Sequence, residues 1–188
     1  MTPKRLVVGI SGASGAPLAV QLLQEMQSHP GWETHVVLTR GGARTLDHET
    51  GLSERELAPL ATRLHTVEDI GASIASGTFR TEGMIVIPCS MKTVSGICHG
   101  YADNLLLRAA DVTLKERRPL VLVTRETPLS RIHLNNMTTL AEMGVVIMPP
   151  VMTFYTRPES IRDMSRHIVG KGLEVFGVDL PDMKRWGE

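Results

Sequence analysis

The chain has 188 residues, 42% apolar and 21% charged, with a formal net charge of zero. That composition is globular rather than disordered; its length suits one domain over residues 1–188, and balanced charge with 4% aromatic residues argues against a nucleic-acid-binding surface. Cys89 and Cys98 are too few for a disulfide framework, no run of about 18 apolar residues offers a membrane span, and MTPKRLVVG has no signal-peptide pattern, so a cytoplasmic protein is expected.

Residues 5–10 read as a buried strand, followed by Leu18, Ala19, Leu22, Leu23 and Met26 at helical spacing. Pro17 suits a first helical turn, and Pro30-Gly31 closes the unit. Residues 34–39, THVVLT, form a second strand, and residues 42–49 a short helix. Ser53-Glu54-Arg55-Glu56 has the form of a capping box. Residues 66–82, rich in Ala, Ser and Gly, fit no clear period. Met84–Ile87 is a strand ended by Pro88, and residues 90–98 a short helix. Asp103 is expected to cap a helix carrying Leu105, Leu106, Ala109, Val112 and Thr113 on one side. Leu120–Thr124 is a fourth strand, and Ser130–Met143 a helix stopped by Gly144. Val145–Met148 is a fifth strand before Pro149-Pro150. The last helix starts at Ser160-x-x-Asp163 and runs to about Phe176.

Short strands alternate with longer helices, and the strands are apolar throughout. That pattern belongs to a parallel sheet covered on both faces, a doubly wound α/β fold. Such sheets bind ligands beyond the carboxyl ends of their strands. After the first strand, Ser11-Gly12-Ala13-Ser14-Gly15 suits a tight turn, a phosphate cradle, or both. It is not GxGxxG, a Walker loop or GxSxG. Thr39-Arg40-Gly41-Gly42 after the second strand suits an anion, or a helix cap with a solvated arginine. Pro88-Cys89-Ser90-Met91-Lys92-Thr93 offers hydroxyls and a lysine, and Cys89 fits a buried inert thiol better than a nucleophile. Arg125-Glu126 ends the fourth strand, as a phosphate grip with an acid–base group or as a local ion pair. Lys115-Glu116-Arg117-Arg118 reads as a solvated helix end, and His133 as a residue that caps or packs. Pro149 to Tyr155 is stiff and mostly apolar, fit for an organic group or an interface. The seven histidines show no HxH or HExxH spacing, and no metal site is expected.

GISGASGAP, Glu49 in HETG, PCSMKTVSGI, DNLLLRAADVTLKERRPLVLVTRETPLSRIHLNNM, GVVIMPPVMTFY and Arg185-Trp186 together resemble the UbiX family of flavin prenyltransferases, from about residue 4 to the end. The resemblance implies a flavodoxin-like, Rossmann-type three-layer sandwich and a metal-independent transferase. It implies that reduced FMN accepts a dimethylallyl group from dimethylallyl phosphate at N5 and C6. The product is the prenylated cofactor of UbiD-type decarboxylases, and the assembly is a homo-oligomer of twelve subunits. By the same resemblance, Gly12, Ala13, Ser14, Thr39, Ser90, Met91, Lys92, Thr93 and Arg125 hold the flavin. Lys115, Arg125, Tyr155 and Lys171 hold the substrate phosphate, with Lys171 standing where other members have arginine. Ser14, Glu49 and Glu126 handle protons. On composition alone Glu49 reads as a surface glutamate.

Overall fold

The computed structural model describes residues 3–187. In chain order the elements are β1 (Lys4–Ile10), α1 (Ala16–Gln27), β2 (Trp32–Leu38), α2 (Arg40–Thr50), α3 (Glu54–Leu57), β3 (Arg63–His65), β4 (Gly83–Cys89), α4 (Met91–Cys98), α5 (Leu105–Lys115), β5 (Leu120–Thr124), α6 (Arg131–Glu142), β6 (Val146–Ile147) and α7 (Ile161–Glu174). The strands form one sheet in the order β3-β2-β1-β4-β5-β6, and every pair is parallel.

The continuous apolar strands follow from burial on both faces. Leu6, Val8 and Ile10 of β1 pack with α1, with Leu46 of α2 and with Val169 and Leu173 of α7. Val7, Val37, Met84 and Val86 face the other way, onto α4, α5 and α6. Burying each such side chain is worth about 1.5–3 kcal/mol. This is the expected three-layer, doubly wound arrangement.

Three local readings change. The sheet has a sixth strand, β3, beyond the five that the sequence predicts. It is only Arg63-Leu64-His65, pairing with β2 at the sheet edge, too short and too polar for a periodic signal. Without it the order would be the flavodoxin-like 2-1-3-4-5; with it the order is that of the dinucleotide-binding folds. Second, β4 continues through Pro88 to Cys89. A residue without an N–H fits there because the β4–β5 register shifts between Val86 and Cys89. Third, α5 is capped by Asn104, not Asp103: the Asn104 carboxamide oxygen accepts from the Leu107 N–H at 3.0 Å.

β3 also creates a buried histidine pair. His35 Nδ1 lies 3.0 Å from His65 Nε2, with the Phe79 ring edge-on to His35 at 5.1 Å. Burial lowers both side chains' affinity for protons. For His35 the Glu33 carboxylate opposes this and Arg5 adds to it; for His65, His35 and Arg63 add to burial against Asp69, bringing it from 6.5 to about 4. The unfolded chain therefore binds protons near pH 6.5 that folded His65 refuses until about pH 4, and folded His35 is likewise lowered from 6.5. The pair's contribution to stability is complete above the upper value and is lost as pH falls through this window. Thermal melts across it should show a falling midpoint, and His65→Gln should flatten that slope. An unchanged slope in the variant would show that other groups govern it.

Candidate functional site

β1 and β4 are neighbours, but α1 leaves β1 toward one face while α4 and α5 leave β4 toward the other. The chain therefore parts at their carboxyl ends, and a crevice opens there. It is a cleft of about 700 Å³ lined by Ser11, Gly12, Thr39, Arg40, Ser90, Lys92 and Thr93, with Val67, Ile70, Leu106 and Leu107 as apolar wall. Its size and mixed lining are those of a small-molecule site.

The glycines are there for close approach. A Cβ on Gly12 would lie 2.9 Å from the Cα of Gly41, and one on Gly42 would lie 2.5 Å from the Ile10 carbonyl oxygen. The loops after β1 and β2 touch through bare backbone, leaving main-chain groups open to a ligand. Thr39 is both a cleft residue and the α2 cap, accepting from the Gly42 N–H at 3.0 Å. Arg40 is exposed and paired with Glu68 at 2.8 Å across the cleft mouth. Ser90 caps α4 by accepting from the Thr93 N–H at 3.3 Å. Ala13 and Met91 are buried, so their side chains offer a ligand little surface. Cys89 is fully buried and its thiol is pushed up by burial, which makes it the inert thiol expected.

The first turn of α1 holds an occupant. Glu49 Oε2 accepts from the N–H groups of Gly15 at 2.9 Å and Ala16 at 2.8 Å. The phosphate cradle considered for this helix start is thus taken by a carboxylate of the chain itself. Burial pushes the Glu49 carboxyl up, but the Ser14 hydroxyl, the two N–H groups and the Arg125 charge together hold it below its ordinary value. Glu49 is ionised at neutral pH, hydrogen-bonded to Ser14 and within the field of Arg125. Ser14, Glu49 and Arg125 therefore gather at the carboxyl edge beside the cleft. Glu126 follows Arg125 in the exposed loop after β5, where its Oε1 accepts from the Thr127 N–H at 3.0 Å. His133 does cap: Ser130 N–H donates to its Nδ1 at 3.3 Å.

One chain does not gather the other residues that the resemblance assigns to the phosphate. Lys115 ends α5, whose capping Asn104 lines the cleft; at about 1.5 Å per residue it lies a helix length away, paired with Glu116. α7 runs alongside α1 in the same direction, with Arg162 O beside Gln21 and Arg166 beside Glu25. Lys171 lies further along, away from the cleft, paired with Glu174 at 2.6 Å. Tyr155 packs edge-on against His167 and Trp186, with ring centres 5.8 and 5.2 Å apart. His167 and Lys171 are one turn apart on α7 and share a face, so Tyr155 packs on the side of α7 that carries Lys171. His167 of this group lines a smaller concavity of about 210 Å³, and Phe154 and Trp186 are exposed. Pattern reading alone missed Glu49, whose partners are more than thirty positions away, and Lys171, which sits within a helix.

Residues 1–171 match the Flavoprotein family. The flavin prenyltransferase UbiX of Escherichia coli K12 is 54% identical over 97% of this chain and 98% of its own. A dodecameric FMN-dependent UbiX-like decarboxylase from Escherichia coli O157:H7 superposes with a TM-score of 0.96 at 52% identity, over 98% of this chain and 100% of that one. The crystal structure of AnUbiX in complex with FMN and dimethylallyl pyrophosphate superposes equally well, 0.96, at 44% identity over 99% and 98% of the two chains.

Proposed function

The chain belongs to the UbiX flavin prenyltransferases of the flavoprotein family, and on that premise we propose that it transfers a dimethylallyl group from dimethylallyl phosphate to N5 and C6 of reduced FMN. The observation that carries this reading is the cleft at the β1–β4 parting, with an ionised Glu49 and the Arg125 guanidinium beside it. Bare backbone at Gly12 and Gly41, a ring of hydroxyls, Lys92 and an apolar wall fit a flavin ring with its phosphate tail. Reduced FMN, when bound, supplies the nucleophilic nitrogen and the ring carbon that accept the five-carbon unit.

The chain's own residues have three tasks. A monophosphate must leave with its bonding electron pair, and Arg125 at the carboxyl edge supplies charge to stabilise it. Ser14 and the Glu49 carboxylate hold and receive protons at the flavin edge. Glu126, in the open loop next to Arg125, exchanges protons with the departing phosphate. Lys115, Tyr155 and Lys171 meet a cleft only if other copies bring them, so the working unit is a homo-oligomer with composite sites, consistent with the dodecameric relative. The exposed Phe154, Tyr155 and Trp186 provide apolar surface for that contact. The product serves a UbiD-type decarboxylase, the fold is one flavin-binding domain, and the compartment is the cytoplasm; among the described residues no helix is long and apolar enough to cross a membrane.

Two measurements test this. Fluorescence titration should show tight FMN binding and weak binding of NAD and FAD; the reverse order would overturn the flavin assignment. Lys171→Ala and Glu126→Gln should each be strongly impaired as pure assemblies. Dissociated and reassembled together, they should regain activity, because some sites then draw both intact residues from different copies. No recovery from a well-formed mixed assembly would place both residues in one chain's site.

A further inference from the structure

Ser11 follows β1 directly, at the parting of the chain, and is 1% exposed. Its hydroxyl donates to the Pro88 carbonyl at 2.9 Å and accepts from the Ser90 N–H at 2.8 Å. Its own N–H also donates to the Pro88 carbonyl, at 3.2 Å. The β1–β4 ladder ends at Gly9 and Val86, and Pro88 has no N–H with which to continue it. Ser11 thus joins the two strands where the ladder cannot. The segments that form the cleft hang from this join on opposite sides. Gly12 to Ser14 follow Ser11 directly, and Ser90 begins the other segment. Ser90 Oγ in turn accepts from the Thr93 N–H and lies 3.1 Å from Thr93 Oγ1.

Resting on the flavin reading of this cleft, we infer that Ser11 is a positioning residue that sets the spacing between the Gly12–Ser14 loop and the Ser90–Thr93 segment. A hydroxyl is suited to the task because it donates and accepts at once. Removing it leaves the part-buried Ser90 N–H without its partner. The segment starting at Ser90 then shifts, and the cap on Thr93 shifts with it. The two segments would no longer present their groups to one flavin at the right separation, and small displacements of this kind cost binding and rate steeply.

The test compares Ser11→Ala with Thr113→Val. Thr113 is also buried, and its hydroxyl donates to the Ala109 carbonyl at 2.7 Å within α5, near that helix's far end. Both variants should melt at lower temperature than wild type. Ser11→Ala should bind FMN about 10- to 100-fold more weakly, measured by fluorescence quenching well below its melting temperature. Thr113→Val should bind as wild type does. Ser11→Cys keeps a weak donor and acceptor in nearly the same volume and should fall between; it carries the same comparison if Ser11→Ala does not fold. Wild-type FMN affinity in a destabilised Ser11→Ala or Ser11→Cys would overturn the proposal and make the hydroxyl purely structural. Failure of the wild-type protein itself to bind FMN would instead overturn the flavin reading, and this inference with it.

Discussion

Glu126→Gln should bind FMN and dimethylallyl phosphate at least as well as wild type and yet lose roughly 10²- to 10⁴-fold in saturated turnover. Glutamine keeps the shape of the side chain and still accepts from the Thr127 N–H, the bond Glu126 makes at 3.0 Å. It also removes a negative charge from the neighbourhood of the leaving phosphate, so binding has no reason to weaken. Only the capacity to exchange a proton is gone. The competing reading of Arg125-Glu126 is a local ion pair, but no hydrogen bond or salt bridge between the two is observed; Glu126 bonds the chain just after it. Under that reading the variant would alter binding and preserve turnover. Binding and single-turnover rates therefore have to be measured separately. Near-normal turnover would end the proton-exchange role while leaving the family assignment intact.

Glu49→Gln should separate the observed structural job of this carboxylate from the chemical one proposed for it. Its first job is structural: it accepts from Gly15 and Ala16 N–H at the start of α1, where a negative charge is worth about 0.3–2 kcal/mol. Gln can accept with its carboxamide oxygen, so the melting temperature should fall modestly. The fall should be seen at neutral pH and shrink in acid. The folded Glu49 carboxyl lies below its ordinary value of 4.5. Its contribution is therefore complete above that value and lost as pH drops through the lower folded one. The second job is chemical: an ionised carboxylate bonded to Ser14 at the cleft edge. Turnover should drop by about 10²-fold or more, well beyond what a modest loss of stability explains. A variant with a lower melting temperature and unimpaired turnover would reduce Glu49 to a helix cap.

These predictions rest on residues of very different visibility in the sequence. The sheet was legible because Leu6, Val7, Val8 and Ile10, or Met84 to Ile87, are buried on both faces and read as unbroken apolar runs. β3 was not, because three residues with Arg and His at its ends carry no period. Gly12, Thr39, Ser90 and Arg125 were visible as strand-end residues, since a doubly wound sheet puts its ligands there. Glu49 was visible only through the family resemblance. It reaches the α1 start from another helix, and nothing local distinguishes it from the solvent-facing Asp47 and His48 beside it. Ser11 was noticed only as the serine that spoils GxGxxG, because its partner, residue 88, is 77 positions away. Lys115, Tyr155 and Lys171 show the opposite limit. The resemblance groups them with Arg125, whereas in one folded chain Lys115 ends α5, Lys171 lies in the last turn of α7 and Tyr155 packs on His167 of that helix; the proposed homo-oligomer is what would bring them together.

The central claim is a transfer of carbon onto flavin, and the product's mass tests it most directly. Purified protein is incubated anaerobically with reduced FMN and dimethylallyl phosphate, and the flavin is extracted for mass spectrometry. The extracted flavin should be heavier by one five-carbon unit, with inorganic phosphate released in equal amount. Recovery of unmodified FMN, with the dimethylallyl phosphate intact and the protein shown to be folded and flavin-bound, would contradict it.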